Sequence, residues 1–235
     1  AGVAIFFPVE VAVAATALVH LANNVFKAAL LGRHADRRVV VAFGLPAAVA
    51  AIAGAGLLAF LADLPPLVRY GLGPREYTVT VAKLVVAALM IVFALFELIP
   101  RLQELTFDRK YLPVGGAASG FFGGLSGHQG ALRSAFLTKV GLGKEAFVGT
   151  GSVIALLVDI VRIAVYGLSF LGRHLAAAGA GNGPWLVASA VAAAFLCPLV
   201  GARLLKNRKI TIRSVRYVVG TMLMLLGVAL GTGMV

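Results

Sequence analysis

"GFFGGLSGHQGALRSAFL", residues 120–137, begins as a membrane helix begins and then stops reading as one. Gly115, Gly116, Gly120, Gly123, Gly124, Gly127 and Gly130 fall within sixteen residues. Ser126, His128, Gln129 and Arg133 stand where an apolar span would carry Leu or Val. Whether this segment crosses a bilayer or turns back inside it decides the fold.

That there is a bilayer follows from composition. The 235 residues are 60% hydrophobic, with a mean hydropathy of +0.98, more apolar surface than a soluble domain of this size needs. The net charge is +12, but Lys and Arg gather in short stretches between apolar runs. Such charge reports orientation in a membrane and not a nucleic-acid footprint, so no nucleic-acid partner is expected. Cys197 is the one cysteine, which excludes an intramolecular disulfide. The start at Ala1, apolar at once, reads as a fragment or a processed end.

Crossing about 30 Å of hydrocarbon takes about twenty apolar residues, and seven segments qualify: 9–31, 39–61, 77–99, 113–137, 146–170, 185–205 and 211–233. Turn chemistry separates them at RHADRR (33–38), DLPP (63–66), GAGNGP (179–184) and KNRK (206–209), and Tyr77, Tyr111 and Trp185 lie near predicted ends. If 113–137 crosses, the two sides carry seven and eight Lys/Arg. If it dips in and returns, loops 33–38, 100–112, 138–145 and 206–214 share a side with twelve, against three in 62–76 and 171–184. The positive-inside rule selects the second arrangement and makes those four loops cytoplasmic. The fourth segment is therefore predicted to be re-entrant.

The chain also aligns with itself. Residues 8–32 match 143–167 without gaps, pairing Glu10 with Glu145, Asn24 with Asp159, Lys27 with Arg162 and Gly32 with Gly167. Farther on, 54–58 matches 201–205 and 77–86 matches 210–219. A duplication is predicted, 1–112 and 113–235, with three spans in each repeat. With a re-entrant linker the repeats are inverted, the architecture in which transporters build a site at the membrane midplane. Only the second repeat opens on a Gly-rich segment, so a counterpart is expected upstream of Ala1. The predicted fold is thus all-α: a polytopic inverted-repeat bundle with a Gly-rich re-entrant broken helix.

Polar side chains are costly inside a bilayer and tend to line cavities. Thr16, His20, Asn24 and Lys27 share one face of the first span, beside Asn23; Ser152, Asp159 and Arg162 share a face of the fifth. Lys27 could equally snorkel, Asp159 and Arg162 could be a structural ion pair, and His20 could be a satisfied core histidine. Glu97, Lys83, Arg203 and Arg216, near span ends, read as facing interfacial water. Gly116, Gly120 and Gly124 form a small-xxx-small ladder for close helix contact. That ladder leaves Ser126-Gly127-His128-Gln129-Gly130 unexplained. A break there would present backbone N–H groups at the start of a half-helix, 131–137, with Arg133 on its first turn, which together suit a small anion. Arg133 could alternatively anchor to lipid headgroups.

With these residues in view, the chain resembles the TauE/SafE family of sulfite and organosulfonate exporters. That family carries two copies of a Gly-rich stretch, roughly G-x-x-x-G-x-x-x-G-x-x-G-x-G-G-G, each followed by a span opening A-x-x-T-S. Here GAASGFFGGLSGHQG (116–130) follows the spacing, with His128-Gln129-Gly130 in place of the glycine run, and VGTGS (148–152) and VAATA (13–17) approach the second motif. The resemblance implies a secondary transporter for a small sulfur-containing anion, driven by the proton gradient across a bacterial inner membrane. It also implies that substrate meets Ser126 to Gly130 and the turn around Thr150 and Ser152. Asn24, Arg133 and Arg162 join the expected substrate-binding set on electrostatic grounds, and His20, His128 and Asp159 are the proton-coupling candidates. No enzyme activity, catalytic set, metal or cofactor is expected, and a homodimer is left open. A passive anion channel is the alternative. More remotely, Gly124-Leu125-Ser126-Gly127 spells the G-x-S-G of rhomboid proteases, but the only histidine after it in sequence, other than His128, is His174, in a predicted loop.

Overall fold

The computed structural model describes residues 9–73, 75–168, 192 and 212–234. Its long helices are α1 (Val9–Leu31), α2 (Arg37–Ala62), α3 (Val81–Leu98), α4 (Leu112–Ser126), α5 (Gly130–Leu137), α6 (Lys144–Tyr166) and α7 (Ile212–Gly231). Three of them, α2, α3 and α6, are long and apolar enough to cross a membrane by length and composition. The span expected at 185–205, with Trp185, Cys197 and Arg203, and the loop holding His174, lie outside the described residues.

Local chemistry sets the ends. Asp36 caps α2, its Oδ1 accepting from Arg38 N at 2.9 Å and Val39 N at 3.1 Å. Pro65 and Pro66 follow shortly after α2 stops. The third span begins at Val81, not at 77. Residues Val68–Leu72 (β1) and Arg75–Val79 (β2) form an antiparallel hairpin instead, a departure from an all-helical chain. Tyr70 and Tyr77 face each other in its register and stack at 5.5 Å, and the Tyr70 hydroxyl donates to the Thr232 carbonyl. That pairing outweighs the hydropathy that reads Tyr77 as the start of a span. Thr80 then caps α3 through Lys83 N.

Three pairings build the bundle. In α4 against α2, Gly116 lies on Phe43, Gly120 on Ala47 and Gly124 on Ala51, so the two helices run parallel at backbone contact. In α1 against α6, Leu31 meets Gly149 while Asn24 meets Asp159, so they run antiparallel. In α3 against α7, Leu98 meets Gly220, Ile91 meets Gly227 and Ala87 meets Gly231, again antiparallel. The core between them holds Leu58, Met90, Leu125, Tyr166 and Leu230 on one side and Phe43, Phe136, Ile154 and Val158 on the other. Val49, Phe60, Val114 and Leu225 are exposed on the outside, as an apolar solvent allows and water does not.

α4 and α5 fold back on one another. Lys139, just after α5, reaches Asp108, just before α4, at 2.8 Å, and its hydrogen bond holds the Asp108 carboxyl below the usual carboxylate range. Phe107 stacks on Phe136 at 4.3 Å. At the same end of the bundle His34 meets Glu145 at 3.4 Å, and Arg216 donates to Gln103 at 2.7 Å. The connections around 33–38, 100–111 and 138–143 and the start of α7 therefore lie together, with the hairpin and Thr232 at the opposite end.

Candidate functional site

The site is organised by the gap between α4 and α5. Gly127 ends α4 in the left-handed conformation, φ +81°, with its N–H on the Gly123 carbonyl at 2.9 Å. The carbonyls at the end of α4, that of Gly123 included, keep a further lone pair to offer inside the bundle. Two side chains of α6 meet them: Arg162 Nη1 donates to Gly123 O at 3.3 Å, and the Tyr166 hydroxyl donates to Gly124 O. A guanidinium there also opposes the negative end of the helix dipole. Arg162 is held by Asp159 at 2.8 Å, both fully buried, and Asp159 accepts from Asn24 Nδ2 at 2.7 Å. A Cβ on Gly127 would come within 2.8 Å of Arg162 Nη1. Gly127→Ala is therefore expected to destabilise the protein by about 1–3 kcal/mol, read as a lower thermal midpoint in detergent; an unchanged midpoint would remove the left-handed turn from the account.

Among the described residues, two cavities flank the gap. The larger, about 350 Å³, is lined by Thr16 and His20 of α1, Met90, Phe93 and Glu97 of α3, residues 126–131, and Val219, Leu223 and Leu230 of α7. His128 stacks on Phe93 with ring centroids 5.7 Å apart, and its Nδ1 lies 3.1 Å from the Ser126 carbonyl. A carbonyl only accepts, so Nδ1 carries the proton and Nε2 is the nitrogen that can titrate. Ser119 Oγ donates to Gln129 O at 3.1 Å, while the buried Gln129 Oε1 has no hydrogen-bond partner among the described residues. The smaller cavity, about 160 Å³, is lined by Asn24 and Lys27 of α1, Arg133, Ser134 and Leu137 of α5, and Phe147, Val148, Gly151 and Ser152 of α6. Arg133 Nη1 is buried there without a hydrogen-bond partner among the described residues.

The sequence reading joined Ser126 to Gly130 and Arg133 in one site; the structure distributes them over two cavities. Ser126, Gly127, His128, Gln129 and Gly130 line the larger cavity together with His20. Asn24, Arg133 and Ser152 line the smaller one. Arg162 and Asp159 line neither and brace the end of α4. Thr150 also lines neither: fully buried, it accepts the Asp36 N–H at 2.9 Å and fastens the 33–38 connection. Ser126 Oγ donates to Phe122 O at 3.0 Å, and among the described residues no histidine ring nitrogen hydrogen-bonds that hydroxyl. Sequence reasoning missed Phe93, the ring under His128, read Glu97 as interfacial, and left Lys27 open between the polar face of the first span and snorkelling. No periodicity could show that α1 and α3 turn those side chains toward the gap.

The architecture is that of a membrane permease, and comparison with known families agrees. The family model described as sulfite exporter TauE/SafE matches residues 1–230. The chain belongs to the TauE/SafE family. It is therefore a membrane transport protein, and its fold is mostly helical. No curated protein and no solved structure matches the chain.

Proposed function

We propose that the protein is a secondary active transporter that moves a small sulfur-containing anion, sulfite or an organosulfonate, across a bacterial inner membrane at the expense of the proton gradient. The observation that carries this reading is the interruption at 127–129, where one helix ends and another begins between two cavities inside an apolar bundle. Interrupted helices at an inverted-repeat interface are the device by which transporters bind ions at midplane.

An inverted duplication is supported by the antiparallel pairs α1/α6 and α3/α7. Asn24 and Asp159, equivalent in the alignment, bond to each other, as residues near a two-fold axis do. Re-entrance of 112–137 is supported by the Asp108–Lys139 pair, which joins its two ends. The clustering of basic connections at that end supports reading it as the cytoplasmic face. In this reading the anion passes between Ser126–Gly130 on one side and Asn24, Arg133 and Ser152 on the other. His20 and His128 carry protons in the larger cavity, and Asp159 answers through its pair with Arg162.

Proteoliposomes loaded with sulfite and given an imposed pH gradient test the proposal. Sulfite is expected to move against its own gradient, and a protonophore is expected to stop it. Flux that only dissipates a sulfite gradient would make the protein a passive anion channel, which the same cavities would serve. Absence of flux for sulfite, sulfoacetate and taurine alike would end the sulfur-anion reading.

A further inference from the structure

Two cations meet in the smaller cavity, Lys27 from α1 and Arg133 from α5. Among the described residues neither takes part in an ion pair, and the buried Arg133 Nη1 has no hydrogen-bond partner. The nearest anionic group on α6, Asp159, is already committed to Arg162 at 2.8 Å and to Asn24 at 2.7 Å. One carboxylate, Asp159, thus answers Arg162 and reaches Arg133 as well, which leaves the Lys27–Arg133 cavity with an excess of positive charge that is costly in a low-dielectric bundle and that an anion would offset. The rest of its lining suits one. Asn24, Ser134 and Ser152 supply neutral polar groups, and Gly151 leaves room beside the Arg133 guanidinium, with Nε 3.5 Å from where a Cβ would stand. By contrast, among the described residues the larger cavity is lined by no Lys or Arg and includes Glu97.

We infer that the Lys27–Arg133 cavity is the resting site of the transported anion and that it selects a doubly charged oxyanion, with Lys27 as the specificity-determining residue. The inference rests on the transport reading above and narrows its substrate. A volume of about 160 Å³ holds several water-sized groups, enough for an oxyanion such as sulfite or thiosulfate. Two fixed positive charges match a dianion and leave a monoanion with one charge unanswered. The larger, mostly apolar cavity serves as vestibule, not as the charged site.

Calorimetric titration of the purified full chain in mildly alkaline buffer tests this, with thiosulfate and sulfite as dianions and methanesulfonate as a monoanion of similar size. The wild-type protein is expected to bind the dianions about tenfold or more tighter than methanesulfonate. Lys27→Gln is expected to weaken thiosulfate roughly 30-fold or more, to leave methanesulfonate within about threefold, and so to erase the preference; Lys27→Arg should keep it. Arg133→Gln should weaken both anions. No preference in the wild type, or a preference that survives both Lys27→Gln and Arg133→Gln, would overturn the inference. Sulfite flux that persists in Lys27→Gln proteoliposomes with unchanged selectivity would overturn it while leaving the transport reading intact. A Lys27-dependent dianion preference in a protein that moves no sulfur anion would support the cavity and defeat that reading instead.

Discussion

Replacing Gly120 by leucine is expected to leave no stably folded protein, while Gly56→Ala is expected to fold as the wild type does. A Cβ at Gly120 would stand 1.9 Å from the Ala47 carbonyl oxygen, with the Ala47 Cα and C at 2.5 Å. No rotamer relieves this, because the obstacle is backbone and not the tip of a side chain. Nor can the helices slide apart locally. Gly116 and Gly124, one turn to either side, would place a Cβ 2.2 Å from Phe43 O and 2.3 Å from Ala51 O, and Gly54 in return 2.1 Å from Phe121 O. The whole α2/α4 seam would have to open, with the loss of the Phe43 and Ala47 packing beside it. The expected cost is about 4 kcal/mol or more, the range reserved for disrupted cores. Close contact of this kind, reinforced by Cα–H···O approaches, takes the place in a membrane of the hydrophobic drive that lipid does not supply. A Cβ at Gly56 meets nothing within 4 Å, so its replacement should stay within about 1 kcal/mol. Size-exclusion profiles and thermal midpoints in detergent read both variants; a monodisperse Gly120→Leu protein with a wild-type midpoint would refute the seam.

Arg162→Met is expected to be nearly as damaging, by a different route. It strands the buried Asp159 carboxylate and removes the second donor to the Gly123 carbonyl, which keeps only the Gly127 N–H. Breaking one side of a buried pair costs about 3–5 kcal/mol, because the remaining charge keeps its desolvation penalty. Asp159→Asn combined with Arg162→Met should recover a good part of that loss, since no charge is then left unpaired. The double variant separates charge from shape: if it is no more stable than Arg162→Met alone, the damage comes from the lost cap on α4 and not from the stranded carboxylate. Asn24 belongs to the same cluster through its 2.7 Å bond to Asp159, so Asn24→Leu should fall between the wild type and Arg162→Met in thermal midpoint.

Much of this was legible before any coordinates. Among the described residues, period and length placed the helices to within a few residues, because apolar runs of span length have few other fates. The 77–99 segment started too early because hydropathy cannot see that Tyr70 and Tyr77 will pair across a hairpin. The glycine ladder was legible as a packing face, since Gly every fourth residue falls on one side of a helix, although its partner α2 was not. The helix break was legible in Ser126 to Gly130 because apolar spans exclude such a run. The role of Arg162 was not: charge and spacing allow a binding residue or an ion pair equally, and only the position of the Gly123 carbonyl separates them.

By itself the sequence determined that this chain lives in a membrane, where its charges gather, which segments are helical and where one of them must break. Each of these follows from the cost of placing particular residue types in hydrocarbon, a property the residues carry wherever the chain puts them. Tertiary structure alone decided that Ser126–Gly130 and Arg133 open on different cavities, that Arg162 closes a helix end, and that Lys27 and Arg133 meet. Those outcomes depend on the rotation of each helix about its axis, which is set by long-range contact between backbones more than a hundred residues apart, such as Leu31 against Gly149.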